Sequence, residues 1–185
     1  QAVRRVRLER VHPRSAERCS FWVAEWPTIE NGTESFETLA AFTWFGHVEV
    51  MGRGMPDLRY RSSMASASLL EVLKEKPLKG RWFTPEEERP GSPRFAVLSY
   101  RAWQRDFLGD EEVIGRIVRM EGKPATIIGV MPDGFHFPFN QDLWTNLEWD
   151  RLMALEITPI GRLRPGISLA SARAEGPGQS GVVLA

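Results

Sequence analysis

Between Arg94 and Pro132 the chain reads RFAVLSYRAWQRDFLGDEEVIGRIVRMEGKPATIIGVMP, and no other stretch restricts the fold so closely. The short apolar run RFAVLS predicts a buried strand. Ser99 then caps a helix, YRAWQRDFLG, in which Trp103 and Phe107 lie four apart and Gly109 stands where a C-terminal glycine belongs. GRIVRMEGKPATIIGVMP predicts a hairpin, with Ile117 to Glu121 as its first strand, a tight turn at Gly122-Lys123 and Ala125 to Val130 as its second. A strand, a helix and a hairpin in so short a run require a mixed fold.

The flanking sequence extends the pattern. In VRRVRLER, Val6 and Leu8 face one way and Arg5 and Arg7 the other, as in a half-buried strand that His12-Pro13 ends. Ser20 is placed to cap a helix through FWVAEW, which Pro27 must break or kink. Ser35 is placed to cap a second short helix in NGTESFETLAAF, with Phe36, Leu39 and Ala40 at i, i+3 and i+4. TWFGHVEVM and DLRYRSSM read as strands with Gly52 and Gly54 as turn material between them; in the second, Leu58, Tyr60 and Met64 alternate against Arg59 and Arg61. A helix over Ser68–Lys74 ends before Pro77, and GRWFTPEEERPG is a loop carrying one helical turn. DLWTNL and LEITPIGRLRPG give two further strands, and SLASARAE starts a helix capped by Ser168. Most strand links are too short for βαβ crossovers, so the class is α+β with substantially antiparallel sheet.

Composition removes several functions. The formal net charge is zero, which gives no electrostatic drive towards nucleic acid or an anionic membrane. Cys19 is the only cysteine, so neither an intramolecular disulfide nor a cysteine metal site can form. No apolar run reaches the length of a membrane span, no signal peptide is visible, and the chain starts at Gln1; these features fit a fragment of something longer.

A search for chemistry finds simpler roles for each candidate. His12, His47 and His136 lie far apart, and none has a second ligand at helical or hairpin spacing. Glu86, Glu87 and Glu88 follow Thr84 and Pro85 as the first turn of a capped helix, where the dipole favours acids. DFLGDEEVIG lacks the calcium-loop pattern, and Gly122-Lys123 is followed by Pro124 where a phosphate loop needs Ser or Thr. Ser99 is a helix cap with no G-x-S-x-G around it, and Asn31-Gly32-Thr33 is a turn before it is a glycosylation acceptor. Trp103 and Trp144 read as core, whereas Trp22, Trp44, Trp82 and Trp149 fit either core or an exposed aromatic face. No catalytic, cofactor-binding or metal residue is assigned.

The segments SFETLAAF, GRWFTPEEERPGSPRFAVLSYRAWQRDFLGD, VIGRIVRMEGKPATIIGVMPDGFHFP, DLWTNL and IGRLRPGISLASARAE, in that order, resemble the periplasmic core domain of MacB-type ABC transporter permeases, in particular the orphan permease branch. The resemblance implies a two-lobed domain at the periplasmic face of the bacterial cytoplasmic membrane. It implies a porter-like split β-α-β lobe at approximately residues 1–55 and 153–175, an inserted mixed or antiparallel sheet lobe at approximately 56–152, and an atypical tail at 176–185. The domain is expected to be C-terminally incomplete, because the family continues the last helix and returns with a strand. GVVLA is not expected to replace that strand, so the first lobe should be the less stable one.

The function implied is non-enzymatic. The domain couples ATP-driven motion of membrane helices to substrate export or to engagement of a partner protein. Its implied partners are the permease's own transmembrane helices, a cytoplasmic ATP-binding subunit or domain, a second copy in a homodimeric transporter and a periplasmic protein; no cofactor and no nucleic acid are implied. The alternative is a free-standing periplasmic peptide- or glycan-binding module, which requires a row of exposed tryptophans.

Overall fold

The computed structural model describes residues 5–8, 10–11, 18–19, 21–32, 34–44, 46–51, 58–149, 155–168, 170–172 and 182–184. The chain forms two compact units, each assembled from separate stretches of sequence. The first comprises Gln1–Phe42, Ser68–Lys74 and Trp149–Ala185; the second comprises Thr43–Ala67 and Glu75–Glu148.

Strands β1 (Arg5–Leu8), β2 (Arg10–Val11), β3 (Arg18–Cys19) and β4 (Phe21–Trp22) come first, then helix α1 (Trp26–Asn31) and strand β5 (Phe36–Phe42). β6 (Gly46–Met51) and β7 (Leu58–Ala65) open the second unit, and helix α2 (Leu69–Leu73) returns briefly to the first. The second unit resumes with β8 (Lys79–Gly80), β9 (Arg94–Leu98), α3 (Tyr100–Phe107), β10 (Ile117–Met120), β11 (Lys123–Val130) and β12 (Leu143–Asn146). β13 (Glu156–Leu163) and β14 (Val182–Leu184) complete the first.

In the first unit β13 is the central strand. It pairs antiparallel with β5, with β1 and, at its beginning, with β4. α2 packs against β5 and β13, tied by Ser68 Oγ donating to the Leu39 carbonyl at 2.6 Å and by Arg162 Nη2 donating to the Val72 carbonyl at 2.5 Å. Trp26 and Trp149 stack with ring centroids 4.8 Å apart. Gly161 is required on β13, because a Cβ there would stand 2.3 Å from the Phe36 ring.

Three local expectations are corrected here. Phe36–Phe42 is a strand and not a helix: consecutive Ala40, Ala41 and Phe42 are all buried, so both faces are covered and strand alternation is hidden, while β13 satisfies the backbone along its length. Pro27 starts α1 and does not interrupt a helix at FWVAEW, since a missing N–H costs nothing in a first turn. Upstream of it lie β4 and a 3-10 turn at Val23–Glu25. GVVLA does supply a strand: β14 pairs antiparallel with β1, placing Val6 opposite Leu184 and Leu8 opposite Val182. His12, Pro13 and Ser20 lie outside the described residues, and so do most of the residues after Ala172.

The second unit is a closed ring of six strands. β7 pairs antiparallel with β6, β6 with β10, and β10 with β11; β11 pairs parallel with β9, β9 antiparallel with β12, and β12 parallel with β7. The sheet is thus mixed, and it has wrapped until its two ends meet. Val48, Tyr60, Leu98, Val118, Ile127 and Leu143 fill its core together with Trp103 and Phe107 of α3. β6 lies in this unit, and not in the first lobe, because its ladder partners are β7 and β10. The β10–β11 turn is Glu121-Gly122, one residue earlier than expected, with φ of 52° and 76°; both are left-handed, as a two-residue type I′ hairpin demands.

β8 lies against the far end of β11, where Gly80 and Gly129 allow two backbones to approach. A Cβ at Gly129 would stand 2.4 Å from the Arg81 carbonyl oxygen, whereas a Cβ at Gly122 would meet nothing within 4 Å. Gly122→Ala therefore costs only the left-handed φ, about 1 kcal/mol. Gly129→Ala must displace backbone and is expected to cost about 2–3 kcal/mol or more. Urea unfolding of the two variants checks this ranking; equal losses would contradict the close approach.

Candidate functional site

The densest polar arrangement in the second unit surrounds α3. Ser99 has extended backbone, and its Oγ accepts from the Ala102 N–H at 3.1 Å, which starts the helix. Helical spacing turns Ala102, Trp103 and Phe107 inward. Arg101 and Arg105, four apart, share the adjoining face, and Asp106 stands beside Arg105.

These side chains join β7 and the residue leading into β12. Arg105 grips Asp106 in a fork, Nε to Oδ1 at 2.8 Å and Nη2 to Oδ2 at 2.6 Å. The fully buried Tyr60 donates its hydroxyl to Asp106 Oδ2 at 2.5 Å, and the Arg105 guanidinium lies over the Tyr60 ring. Asp142 Oδ1 accepts from Arg101 at 2.9 Å and from Arg105 at 3.3 Å, while its Oδ2 accepts from the Arg61 N–H at 3.0 Å. The Asp142 N–H donates in turn to the Arg61 carbonyl, and its own carbonyl accepts from the Ser99 N–H.

Electrostatics follow the geometry. Burial pushes the Tyr60 hydroxyl well above its ordinary range, and the hydrogen bond and charge of Asp106 add to that, with Arg105 opposing. Burial also pulls the Asp106 carboxyl upward, but hydrogen bonds from Arg105 and Tyr60 and the charges of Arg105 and Arg101 outweigh it, so its pKa falls below the usual carboxylate value. The hydrogen bond to Asp106 holds Arg105 protonated even more firmly than usual. Every carboxylate oxygen here has a donor. Asp106, with its carboxyl pKa lowered, lacks the raised value of a general acid. The chemistry available is fastening.

An open pocket of about 250 Å³ adjoins this network, lined by Ser99, Tyr100 and Arg101, by the loop from Pro132 to His136, and by Asn140 and Gln141. Its polar groups are largely committed. Ser99 Oγ holds the helix, Asp133 Oδ1 accepts from the Gly134 N–H, and the Gln141 amide donates to the Trp44 and Ser62 carbonyls.

The residues weighed in the sequence fall as follows. His47 is exposed on β6, His136 is exposed at the pocket, and His12 is outside the described residues. Thr84 and Glu87 form a reciprocal cap, and Glu87 also takes both Arg81 nitrogens, at 2.6 and 2.9 Å. Glu88 accepts from the Ala67 N–H. Asn31 ends α1 and donates to the Pro27 carbonyl. Lys123 begins β11, in a hairpin and not a phosphate loop. Of the seven tryptophans, Trp26, Trp82, Trp103 and Trp144 are buried, Trp44 and Trp149 are half-buried, and only Trp22 is exposed, at 44%. They form no exposed row. Among the described residues no three of His, Cys, Asp and Glu gather as a metal set. Sequence reasoning did not single out the network; the i, i+4 arginines followed by Asp106 were its only visible trace.

Taken together, fold and site define a two-unit α+β domain in which the described polar cluster around α3 fastens helix to strand. The chain matches the model of the MacB-like periplasmic core domain over residues 5–175, and it belongs to that family. The extracellular domain of the noncanonic ABC-type transporter YknZ from Gram-positive bacteria superposes with a TM-score of 0.71 at 15% identity, over 97% of this chain and 100% of that one. The periplasmic region of MacB from Actinobacillus actinomycetemcomitans superposes with a TM-score of 0.69 at 13% identity, over 92% of this chain and 79% of that one. No curated protein matches the sequence. The family is one of transporter permease domains and not of enzymes, and its place is extracytoplasmic.

Asp142→Ala removes the acceptor of Arg101 Nη2, of Arg105 Nη1 and of the Arg61 N–H, while Arg105 keeps its fork to Asp106, and is expected to cost about 2–4 kcal/mol in urea unfolding at pH 7. For Asp106 the folded pKa lies below the unfolded value of about 3.9. Its stabilisation is therefore complete above that value and is lost as pH falls through the folded pKa. Asp106→Asn should lose less stability than the wild type between pH 5 and pH 2; parallel acid limbs would contradict the assignment.

Proposed function

We propose that this chain is the extracytoplasmic domain through which an ABC-type permease couples ATP-driven movement of its membrane helices to substrate export or to engagement of a partner protein. The observation that carries the reading is the family match across residues 5–175, in a chain whose described polar cluster around α3 has a donor at every carboxylate oxygen. A part that transmits motion needs bodies that keep their shape, and a ring of six strands pinned by charged hydrogen bonds is such a body. The partners on this reading are the permease's own transmembrane helices, a cytoplasmic ATP-binding subunit, a second copy in a homodimer and a periplasmic protein. The binding-module alternative rests on an exposed aromatic row, and the tryptophans do not supply one.

The test uses the permease carrying this domain, reconstituted in lipid nanodiscs with its ATP-binding subunit. Spin labels replace the exposed residues Glu37 of the first unit and Lys123 of the second. Coupling predicts a label-to-label distance distribution that differs between nucleotide-free and ATP-bound states. An identical distribution in every nucleotide state, at this and a second label pair, would overturn it.

A further inference from the structure

The second unit has a charged outer face where β7, β6 and β10 run side by side. Register sets Arg61 opposite His47 and Arg59 opposite Glu49 across the β7–β6 pair, and Arg119 of β10 opposite Met51 at the end of β6. Tyr60, Val48, Val50 and Met120 alternate with these residues and are buried, so the charged side chains point away from the core of the ring. Arg59, Arg61, Arg119, His47 and Glu49 are all exposed. Residues directly opposite in a ladder have Cβ atoms about 4.5–5.5 Å apart, within reach of an ion pair between Arg59 and Glu49. No such pair forms: among the described residues neither Arg59 nor Arg61 has an ion pair or a side-chain hydrogen bond. Arg119 donates to the Gly122 carbonyl at 2.9 Å and meets no carboxylate among the described residues. The other acid beside this face, Glu121, lies 3.6 Å from Arg94. The arginines of α3, by contrast, are held by Asp106 and Asp142.

We propose that this face docks an extended, acidic segment of a partner protein. The inference rests on the reading that the domain engages such a protein, and it supplies the partner's chemistry. Arg59 and Arg61 stand two residues apart on one strand, roughly 7 Å, which is also the interval between alternate side chains of any extended chain. A segment with an acid at every second residue therefore sets one carboxylate against each guanidinium, in the forked geometry arginine favours. The chain as a whole has zero formal net charge, so the surplus of bases is local and directs a partner to this face and not to the molecule at large. Glu49 among the arginines argues against an anionic lipid surface, which presents one sign of charge throughout. A protein can set a donor against it.

The probe is the acetylated and amidated peptide Glu-Ser-Glu-Ser-Glu-Ser-Glu, with the matching Lys-Ser peptide as control. In NMR titrations of the full chain at about 0.02 M salt, the acidic peptide alone should move amide shifts at residues 47–49 and 59–61 and at Arg119. Raising the salt to about 0.2 M should weaken binding several-fold. Arg59→Glu/Arg61→Glu should weaken it at least about tenfold. Both side chains are exposed and the seam to Asp142 uses only the Arg61 main chain, so the variant keeps the fold. Glu49→Lys should tighten binding about threefold, a gain that loss of folding cannot imitate. Shifts scattered over other arginines, or an affinity indifferent to the charge reversal, would overturn the proposal. Flotation on phosphatidylglycerol vesicles that the reversal abolishes, with no shift from the peptide, would overturn it in favour of lipid. Failure here leaves the coupling role untouched, because spin-label distances in the assembled permease do not depend on Arg59 or Arg61.

Discussion

The second unit depends on one seam. β7 and β12 pair in parallel, and without that pairing six strands would form an open sheet with two exposed edges. Asp142 starts the seam, since its backbone and side chain together bond both the carbonyl and the N–H of Arg61, eighty-one residues earlier in sequence. Closing so long a loop costs chain entropy that local structure cannot return, so the seam needs a strong fastening. Charged hydrogen bonds from Arg101 and Arg105 give it one, at oxygens that are nearly sealed from water.

The same fastening positions α3. The helix covers the core with Trp103 and Phe107 while its polar face reaches across to Tyr60 and Asp142. Arg105 is shared between two carboxylates, so neither acid is left as an uncompensated buried charge. The cluster is therefore compensated from within, which suits a domain whose family works as part of a permease.

Much of this could be read from the sequence, and the parts that could not have physical reasons. β9, the Ser99 cap, α3 and the β10–β11 hairpin follow from local signals that tertiary contacts reinforce. Phe36–Phe42 misled because a strand buried on both faces loses its alternation and leaves apolar residues at helical intervals. The type of sheet was visible, but its closure was not, because strand pairing across eighty residues leaves no mark in local periodicity. The Tyr60–Asp106–Asp142 network escaped for the same reason: each member looks like an ordinary surface or strand residue until the fold brings them together. The resemblance to the MacB-type family rested on the order of whole segments, which survives where single short motifs do not, and the family match bears it out.

Native-state hydrogen exchange under increasing denaturant tests the central claim most directly, because it asks whether the six-stranded ring is one cooperative body. The account predicts that amides of β7, β9, β11 and β12 merge into a single opening with one denaturant dependence, and that those of β1 exchange earlier. A β12 that opens independently of β9 and β11, at lower denaturant, would contradict the closed and fastened ring.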